Sequence, residues 1–321
     1  MHSYKELSQL FATHFNQNHF PQQPANLYEP CNYFLQIGGK RIRPVLTLLG
    51  NELFGEIHTD AYQVATAIEL FHNFTLIHDD MMDAASLRRG VQTVHTKYNS
   101  NIALLSGDVM LIKAYEYVNK ISPAYLQRIM QIFNKTAAEV CEGQQLDMDF
   151  ESQEKVSLNE YIKMIGLKTS VLLAAALQIG SVIGGASEGN CNHIYQFGLN
   201  LGIAFQIQDD YLDAFGDPEK FGKEVGGDIK QNKKTFLFLH ALEVANAEQK
   251  ATIEFLVKNN PTDKVEQMLN VFKACNVGDW ANELKEKYYQ TALKHLDDIA
   301  VTAVRKKPLI ELANFLIERE S

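Results

Sequence analysis

Two clusters of carboxylates hold most of the chemistry this sequence could do. Asp79-Asp80-Met81-Met82-Asp83 reads DDxxD, and Asp209-Asp210-Tyr211-Leu212-Asp213 reads DDxxD again. On a helix, residues four apart stand on one face. Asp79 therefore projects with Asp83, and Asp209 with Asp213. Such a pair repels itself unless a cation sits between the carboxylates. Hard oxygen ligands of this kind suit Mg²⁺, which bridges one or two carboxylates to substrate phosphates. A solvated acidic face is the plainer alternative. The chain holds 16 aspartates, for which chance gives one DDxxD in roughly one such sequence in twenty-five, and two far less often. Asp297-Asp298 is a bare pair with no third aspartate. Both motifs follow apolar runs, Phe74-Thr75-Leu76-Ile77 and Ile203-Ala204-Phe205, where carboxylates do not stay without partners. Metal binding is the better reading.

The cations extend it. Gly38-Gly39-Lys40-Arg41-Ile42-Arg43-Pro44 puts three cations behind two glycines. The glycines let backbone approach a ligand, and a helix start favours an anion. Arg88-Arg89-Gly90 follows the first acidic motif, and guanidinium forks suit phosphate oxygens. Lys168 opens Lys-Thr-Ser in an apolar stretch, and Lys223, Lys230, Lys233 and Lys234 crowd the segment after the second motif. Singly, each reads as a surface charge. Together they describe two acidic clamps and several cations around phosphate. His72 lies seven residues before Asp79, on the same face of an ideal helix. It is either a core histidine or part of this site.

The elements that must position these groups are helical. Leu7, Leu10, Phe11 and Phe15 form one face of a first helix ending near Pro21. Apolar periodicity predicts helices over Ala61–Met82, Asn101–Lys120, Ala124–Gly143, Leu158–Gly185, Asn192–Phe215 and Thr235–Ala247, with more after Pro261. Gly38-Gly39 opens one helix and Phe54-Gly55 closes it. Alternating strand patterns are almost absent. The expected fold is all-α. No stretch resembles an interdomain linker, so residues 1–321 read as a single domain.

Composition narrows the function class. The chain has 321 residues, 46% hydrophobic and 21% charged, with 30 basic and 39 acidic residues and a net charge of −9. The acidic balance argues against a nucleic-acid partner, since such binders usually carry a basic face. Anionic substrates remain possible where metal ions supply positive charge. Cys31, Cys141, Cys191 and Cys275 are scattered, with no CxxC pair, and read as buried free thiols of a reducing compartment. No signal peptide is visible. Val171–Ala186, the most apolar stretch, is short for a membrane span and reads as a buried helix. A cytoplasmic protein with no membrane span is expected.

The ordered set GGKRIRP, HDDMMD, LRRG, GQQLD, KTS, FQIQDDYLD and GKEVGGD resembles the trans-type isoprenyl diphosphate synthases, the polyprenyl synthetase family that includes farnesyl and geranylgeranyl diphosphate synthases. The resemblance covers most of the chain. It implies a bundle of antiparallel helices around a deep cavity, usually a homodimer, with the acidic motifs facing each other across its mouth. It implies Mg²⁺, three ions with substrate diphosphate. Asp79, Asp83 and Asp209 would bind the metal, with Asp80, Asp210 and Asp213 supporting them directly or through water. Arg88, Lys168 and Lys223, with Lys233 nearby, would hold the allylic diphosphate. Lys40, Arg43, His72 and Arg89 would hold isopentenyl diphosphate. Gln144, Asp147, Thr169 and Gln206 would line the reaction centre.

The resemblance also bears on product length. Bulky side chains four, five or eight residues before the first motif, here Thr75, Phe74 and Phe71, would limit the growing tail. The small Thr75 points to geranylgeranyl diphosphate, with farnesyl diphosphate next. On an ideal wheel Phe74 swings away from Asp79, so core packing is an equal reading for both Phe side chains. The loop Lys223-Glu224-Val225-Gly226-Gly227-Asp228 is one residue longer than in some relatives, which bears on the placement of Lys233. The C-terminus lacks a strongly basic tail, leaving Arg319, or nothing comparable, for closure. A class I terpene cyclase would share the ionising aspartates but need neither a second DDxxD nor the isopentenyl-diphosphate cations. A non-catalytic subunit would show damaged motifs, and a helical scaffold would have no use for these charges.

Overall fold

The computed structural model describes residues 1–16, 18–216 and 225–318. Lys223 and Arg319 lie outside the described residues, as does Lys223-Glu224 of the lysine loop. In chain order the elements are α1 (Tyr4–Phe15), α2 (Ala25–Gln36), α3 (Ile42–Glu52), α4 (Thr59–Met82), the strands β1 (Leu87–Arg88) and β2 (Val91–Gln92), α5 (Val94–Lys97), α6 (Ser100–Val118) and α7 (Pro123–Ser152). There follow α8 (Leu158–Ile165), a π-helical segment (Gly166–Ser170), α9 (Val171–Ile183), α10 (Glu188–Phe215), α11 (Gly227–Lys230) and α12 (Phe236–Val244). The chain ends with α13 (Ala247–Asn259), α14 (Lys264–Ala274), α15 (Val277–Asp297) and α16 (Ala303–Glu318). The fold is all-α. Among the described residues its only sheet is the antiparallel hairpin β1–β2, with Leu87 opposite Gln92 and Arg88 opposite Val91.

The described chain groups into two compact units. One comprises residues Met1–Asn134, Ala175–Asn192 and Val301–Pro308. Its central helix is α4, buried without interruption from Val64 to Phe71. A helix apolar all round belongs in a core, and α4 packs against both α3 and α6. At the front, Ser3 and Glu6 cap α1 reciprocally. The Glu6 amide donates to Ser3 Oγ at 3.3 Å, and the Ser3 amide donates to Glu6 Oε2 at 2.7 Å. α3 meets the later part of α9 backbone to backbone. A Cβ on Gly180 would lie 1.9 Å from the Thr47 carbonyl oxygen, and one on Gly50 would lie 2.2 Å from that of Leu177. No side chain fits at either place.

The other unit comprises Lys135–Ala174, His193–Ala300 and Leu309–Ser321. Tyr161, Ile165, Ile207, Phe236, Leu256, Phe272 and Val277 build its core. Burying side chains of this size contributes roughly 1.5–3 kcal/mol each. A Ser157–Glu160 capping box starts α8. The stretch Leu158–Ile183 is long and apolar enough to cross a membrane, but 78% of its most apolar window is buried inside the protein, as in a core helix.

Three sequence readings change. α7 runs past Gly143 to Ser152, because the spacing of Val140, Gly143, Gln144 and Phe150 keeps one face buried. The single helix expected over Leu158–Gly185 is α, then π, then α. The four cysteines are free, but they are not all buried. Cys31 and Cys191 are, Cys275 is partly so, and Cys141 is exposed. Cys141 sits one position off the buried stripe of α7.

Candidate active site

In the first unit, the last turn of α4 carries the first acidic motif. Asp79 is half-buried and Asp83 exposed. Asp83 is the C-cap residue, and its amide donates to the Asp79 carbonyl at 2.8 Å. Asp80 turns inward and is only 2% exposed. Arg88 Nε donates to both of its carboxylate oxygens at 2.9 Å, and Arg88 Nη2 lies 2.8 Å from Oδ1. That places Arg88 on β1. The hairpin then turns through Arg89 and Gly90, whose φ values are 52° and 77°. A two-residue turn with both φ positive suits the twist of its strands.

Arg89 Nη1 donates to the Gly38 carbonyl, so the hairpin reaches the Gly-Gly-Lys-Arg segment. There Arg41 adopts a left-handed backbone, with φ 49°. Its guanidinium donates to buried Glu69 and, at 2.9 Å, to the Leu35 carbonyl. Glu69 also accepts from Asn73 Nδ2 at 2.8 Å. Arg41 is thus consumed in the fold, while Arg43 faces a different partner.

Arg43 Nη1 donates to His72 Nε2 at 3.1 Å. His72 Nε2 must then be the acceptor, leaving its proton on Nδ1. Burial, then the charges of Arg43, Arg88, Arg89 and Arg41, hold His72 well below the usual imidazole range. Burial brings Arg43 down to about 10, so it stays charged at neutral pH. Among the described residues its Nε is buried with no hydrogen-bond partner. These groups line a cavity of about 420 Å³ bounded by Gly38 to Arg43, Glu69, His72, Asn73, Leu76 and Arg89. A buried guanidinium N–H without an acceptor, in a cation-lined cavity, calls for an anion.

Phe71 is buried against Phe74 and Phe133, with ring centroids 5.6 and 5.3 Å apart. Phe74 is half-buried and meets His78 at 4.8 Å. Thr75 Oγ1 donates to the His72 carbonyl at 2.8 Å.

In the second unit, α10 carries the second motif near its end. Asp209 and Asp213 are half-buried, and Asp210 is 3% exposed. The Tyr161 hydroxyl donates to Asp210 Oδ2, and Gln206 Nε2 donates to Oδ1 at 3.0 Å. Burial pushes the Asp210 carboxyl up to about 7. Burial, with the Asp210 charge, drives the Tyr161 phenol well above its usual value of 10, so it remains a donor. Asp213 anchors the chain that follows. Its Oδ2 accepts from the Asp228 amide at 3.0 Å, and its carbonyl from the Gly226 amide at 2.6 Å.

Lys168 and Thr169 lie in the π-helical segment. π turns inside helices occur mostly at functional sites. Lys168 Nζ is 2.6 Å from Asp147 Oδ2. α7 approaches this segment through Gly143, where a Cβ would lie 2.2 Å from the Lys168 amide nitrogen. Gln144, the next residue, is buried. Among the later lysines, Lys233 Nζ lies 3.8 Å from Asp228. Lys234 Nζ instead donates to the Phe150 carbonyl at 2.7 Å, near the end of α7.

The donor sets fit a hard divalent cation. Asp79 with Asp83, and Asp209 with Asp213, offer carboxylate oxygen in i, i+4 pairs, with no thiol or imidazole in either motif. Asp80 and Asp210 are held from within and steady the turns that bear the others. Sequence reasoning missed Glu69, Asn73 and Tyr161 as members of these networks, and it counted among the phosphate cations Arg41, which the fold pairs with Glu69. An isolated glutamate in the apolar run of α4 was a visible signal for Glu69. Nothing in the sequence links Tyr161 to Asp210.

Comparison with known proteins gives a concordant result. A family model described as Polyprenyl synthetase matches residues 24–274. The geranylgeranyl diphosphate synthase of Methanosarcina mazei is 36% identical over 301 residues, covering 93% of this chain and 91% of its own. The geranylfarnesyl diphosphate synthase of Natronomonas pharaonis is 35% identical over 319 residues, covering 93% and 91%. A crystal structure of a geranylgeranyl pyrophosphate synthase matches with a TM-score of 0.94 and 44% identity, over the whole of both chains. With its motifs in order and its helices in place, this chain belongs to the polyprenyl synthetase family of trans-isoprenyl diphosphate synthases and is a short-chain prenyltransferase.

Proposed function

We propose that the protein condenses isopentenyl diphosphate head-to-tail with allylic diphosphates, requires Mg²⁺, and releases geranylgeranyl diphosphate as its main product, with farnesyl diphosphate next. The observation that carries this reading is the cation-lined cavity of the first unit, where buried Arg43 Nε has no acceptor among the described residues. A terpene cyclase would have no second diphosphate to place there.

Asp79 with Asp83, and Asp209 of the second motif, would hold Mg²⁺, which would supply positive charge to the leaving diphosphate. Arg88 and Lys168, with Lys223 and Lys233, stabilise the negative charge that grows on it. Lys40, Arg43 and Arg89 hold the diphosphate of isopentenyl diphosphate. His72 joins them as a neutral donor through Nδ1–H, because Arg43 occupies Nε2. As the allylic carbon–oxygen bond ionises, the held double bond attacks the cation. The proton then lost goes to the departed diphosphate. Gln144, Asp147, Thr169 and Gln206 line the reacting carbons and exclude water. Phe71, Phe74 and Thr75 set the length of the tail.

The same reading makes residues 1–321 one catalytic domain of a cytoplasmic homodimer. Exposed Leu104, Leu105 and Ile112 on α6 form an apolar stripe suited to a second copy. The test is incubation with labelled isopentenyl diphosphate and each allylic primer, with Mg²⁺ or chelator, followed by chromatography of the dephosphorylated alcohols. Mg²⁺-dependent elongation ending at the C20 alcohol is expected. A folded protein that elongates no primer would overturn the reading, and cyclic products from a prenyl diphosphate alone would replace it with a cyclase.

A further inference from the structure

His193, near the start of α10, faces the end of α15 in the second unit. Its Nδ1 lies 3.2 Å from Nδ1 of His295 and 3.9 Å from Oδ2 of Asp298. His295 is in the last turn of α15 and Asp298 is its C-cap residue, so these two ligands stand three residues apart on one helix end. The three ligand atoms all lie within 4.8 Å of one another. None of these residues belongs to the diphosphate chemistry above. His193 precedes Asp209 by sixteen residues of α10, roughly 24 Å along a helix rising about 1.5 Å per residue.

We propose that His193, His295 and Asp298 form a binding site for a divalent transition metal of the zinc class. Two ligands about 2.05 Å from a tetrahedral zinc ion stand roughly 3.3 Å apart. The two imidazole nitrogens already hold that spacing, and Asp298, exposed at the surface, closes the remaining gap by turning its carboxylate. Imidazole with one carboxylate favours zinc, nickel or cobalt over magnesium. The ion takes the place of the proton one Nδ1 now donates to the other; that ring gives up its Nδ1 proton and takes one up from solvent on Nε2, so both imidazoles bind as neutral ligands. The end of a helix adds negative potential from its last carbonyls. Solvent completes the coordination shell, because the site is partly open. A bound ion staples α10 to α15 and stabilises the fold by mass action.

The test uses the full chain, stripped by chelator and returned to excess Mg²⁺ so that the carboxylate motifs are saturated. Zn²⁺ is titrated calorimetrically, and Co²⁺ is followed by its visible absorption. One equivalent of Zn²⁺ is expected, with nitrogen-ligated Co²⁺ bands and a Zn²⁺-dependent rise in melting temperature. His295→Ala should weaken this binding at least about tenfold, the smallest loss seen even when only a ligand's supporting partner is removed. If His295→Ala misfolds, Asp298→Asn, at an exposed position, should weaken it in the same sense. The proposal falls if wild-type protein binds no Zn²⁺ over Mg²⁺, or if the folded variants bind it as tightly as wild type.

Discussion

Asp80 and Asp210 hold the same place in the two acidic motifs and both are buried, yet their surroundings differ in kind. Asp80 meets a guanidinium, with three contacts from Arg88 between 2.8 and 2.9 Å. Asp210 meets two neutral donors, Tyr161 and Gln206, and its carboxyl rises to about 7. The first arrangement pairs the buried carboxylate with a cation. The second satisfies its oxygens and lets desolvation raise its proton affinity. The outer aspartates diverge too. Asp83 stands exposed at a helix end, whereas Asp213 secures the amides of Gly226 and Asp228. One sequence pattern thus serves as the partner of a cationic hairpin in one unit and as a loop anchor in the other.

The sharpest way to break the comparison is to remove a proposed metal ligand from each motif. Asp79→Ala and Asp209→Ala should each lower turnover about a thousandfold or more, as loss of several kcal/mol of charge stabilisation requires. Single-turnover elongation at saturating Mg²⁺ reads this, with circular dichroism to confirm folding. Full activity in either variant would remove that motif from the chemistry.

Stability should separate the inner aspartates. Arg88→Ala leaves Asp80 as a buried charge without its partner, at a cost of about 3–5 kcal/mol. Tyr161→Phe leaves one Asp210 oxygen short of a neutral donor, at about 1–3 kcal/mol. Urea denaturation of both variants measures the difference. Equal losses would mean that the two interiors are energetically alike.

Acid should sharpen the contrast. His72 has a folded pKa well below its usual value, and an unfolded histidine titrates near about 6.5. Its stabilising contribution is complete above that value and is lost as pH falls toward the folded one. His72→Gln should therefore show a shallower loss of melting temperature between about pH 7 and pH 5 than wild type, measured without metal. An identical slope would show that His72 does not titrate on unfolding. Asp210 acts in the opposite sense. Its folded pKa is raised, so its contribution is present in acid and fades as pH climbs through about 7. The smallest change is expected from Phe74→Ala, which should shift the alcohol profile toward longer chains. An unchanged profile would leave Phe74 with a packing role beside Phe71 and His78.

Much of the site was legible because its parts are local. An i, i+4 pair of aspartates shares a face whatever lies around it, so Asp79 with Asp83 and Asp209 with Asp213 could be read directly. Helix positions followed from apolar periodicity, and α4 runs Thr59–Met82 where Ala61–Met82 was expected. The missed features depend on distant residues. The hairpin at Arg89-Gly90 is two residues per strand, too short for an alternating pattern to show. The π turn at Gly166–Ser170 sits where Gly143 brings another helix close. Cys141 is exposed because of its phase on α7, which no thiol count reveals.

By itself the sequence determined the all-helical class, the two acidic motifs, the basic motifs and the family to which they belong, since all of these are written in residue type and short spacing. Only the tertiary structure decided which partner each charge meets. Arg41 and Arg43 are two residues apart, yet one is consumed by Glu69 while the other keeps a buried N–H without an acceptor among the described residues. Asp80 and Asp210 share a motif position, yet one is paired with a cation and the other with a phenol. The physical reason is that burial makes a charge depend on its nearest partners, and those partners come from parts of the chain that meet only when it folds.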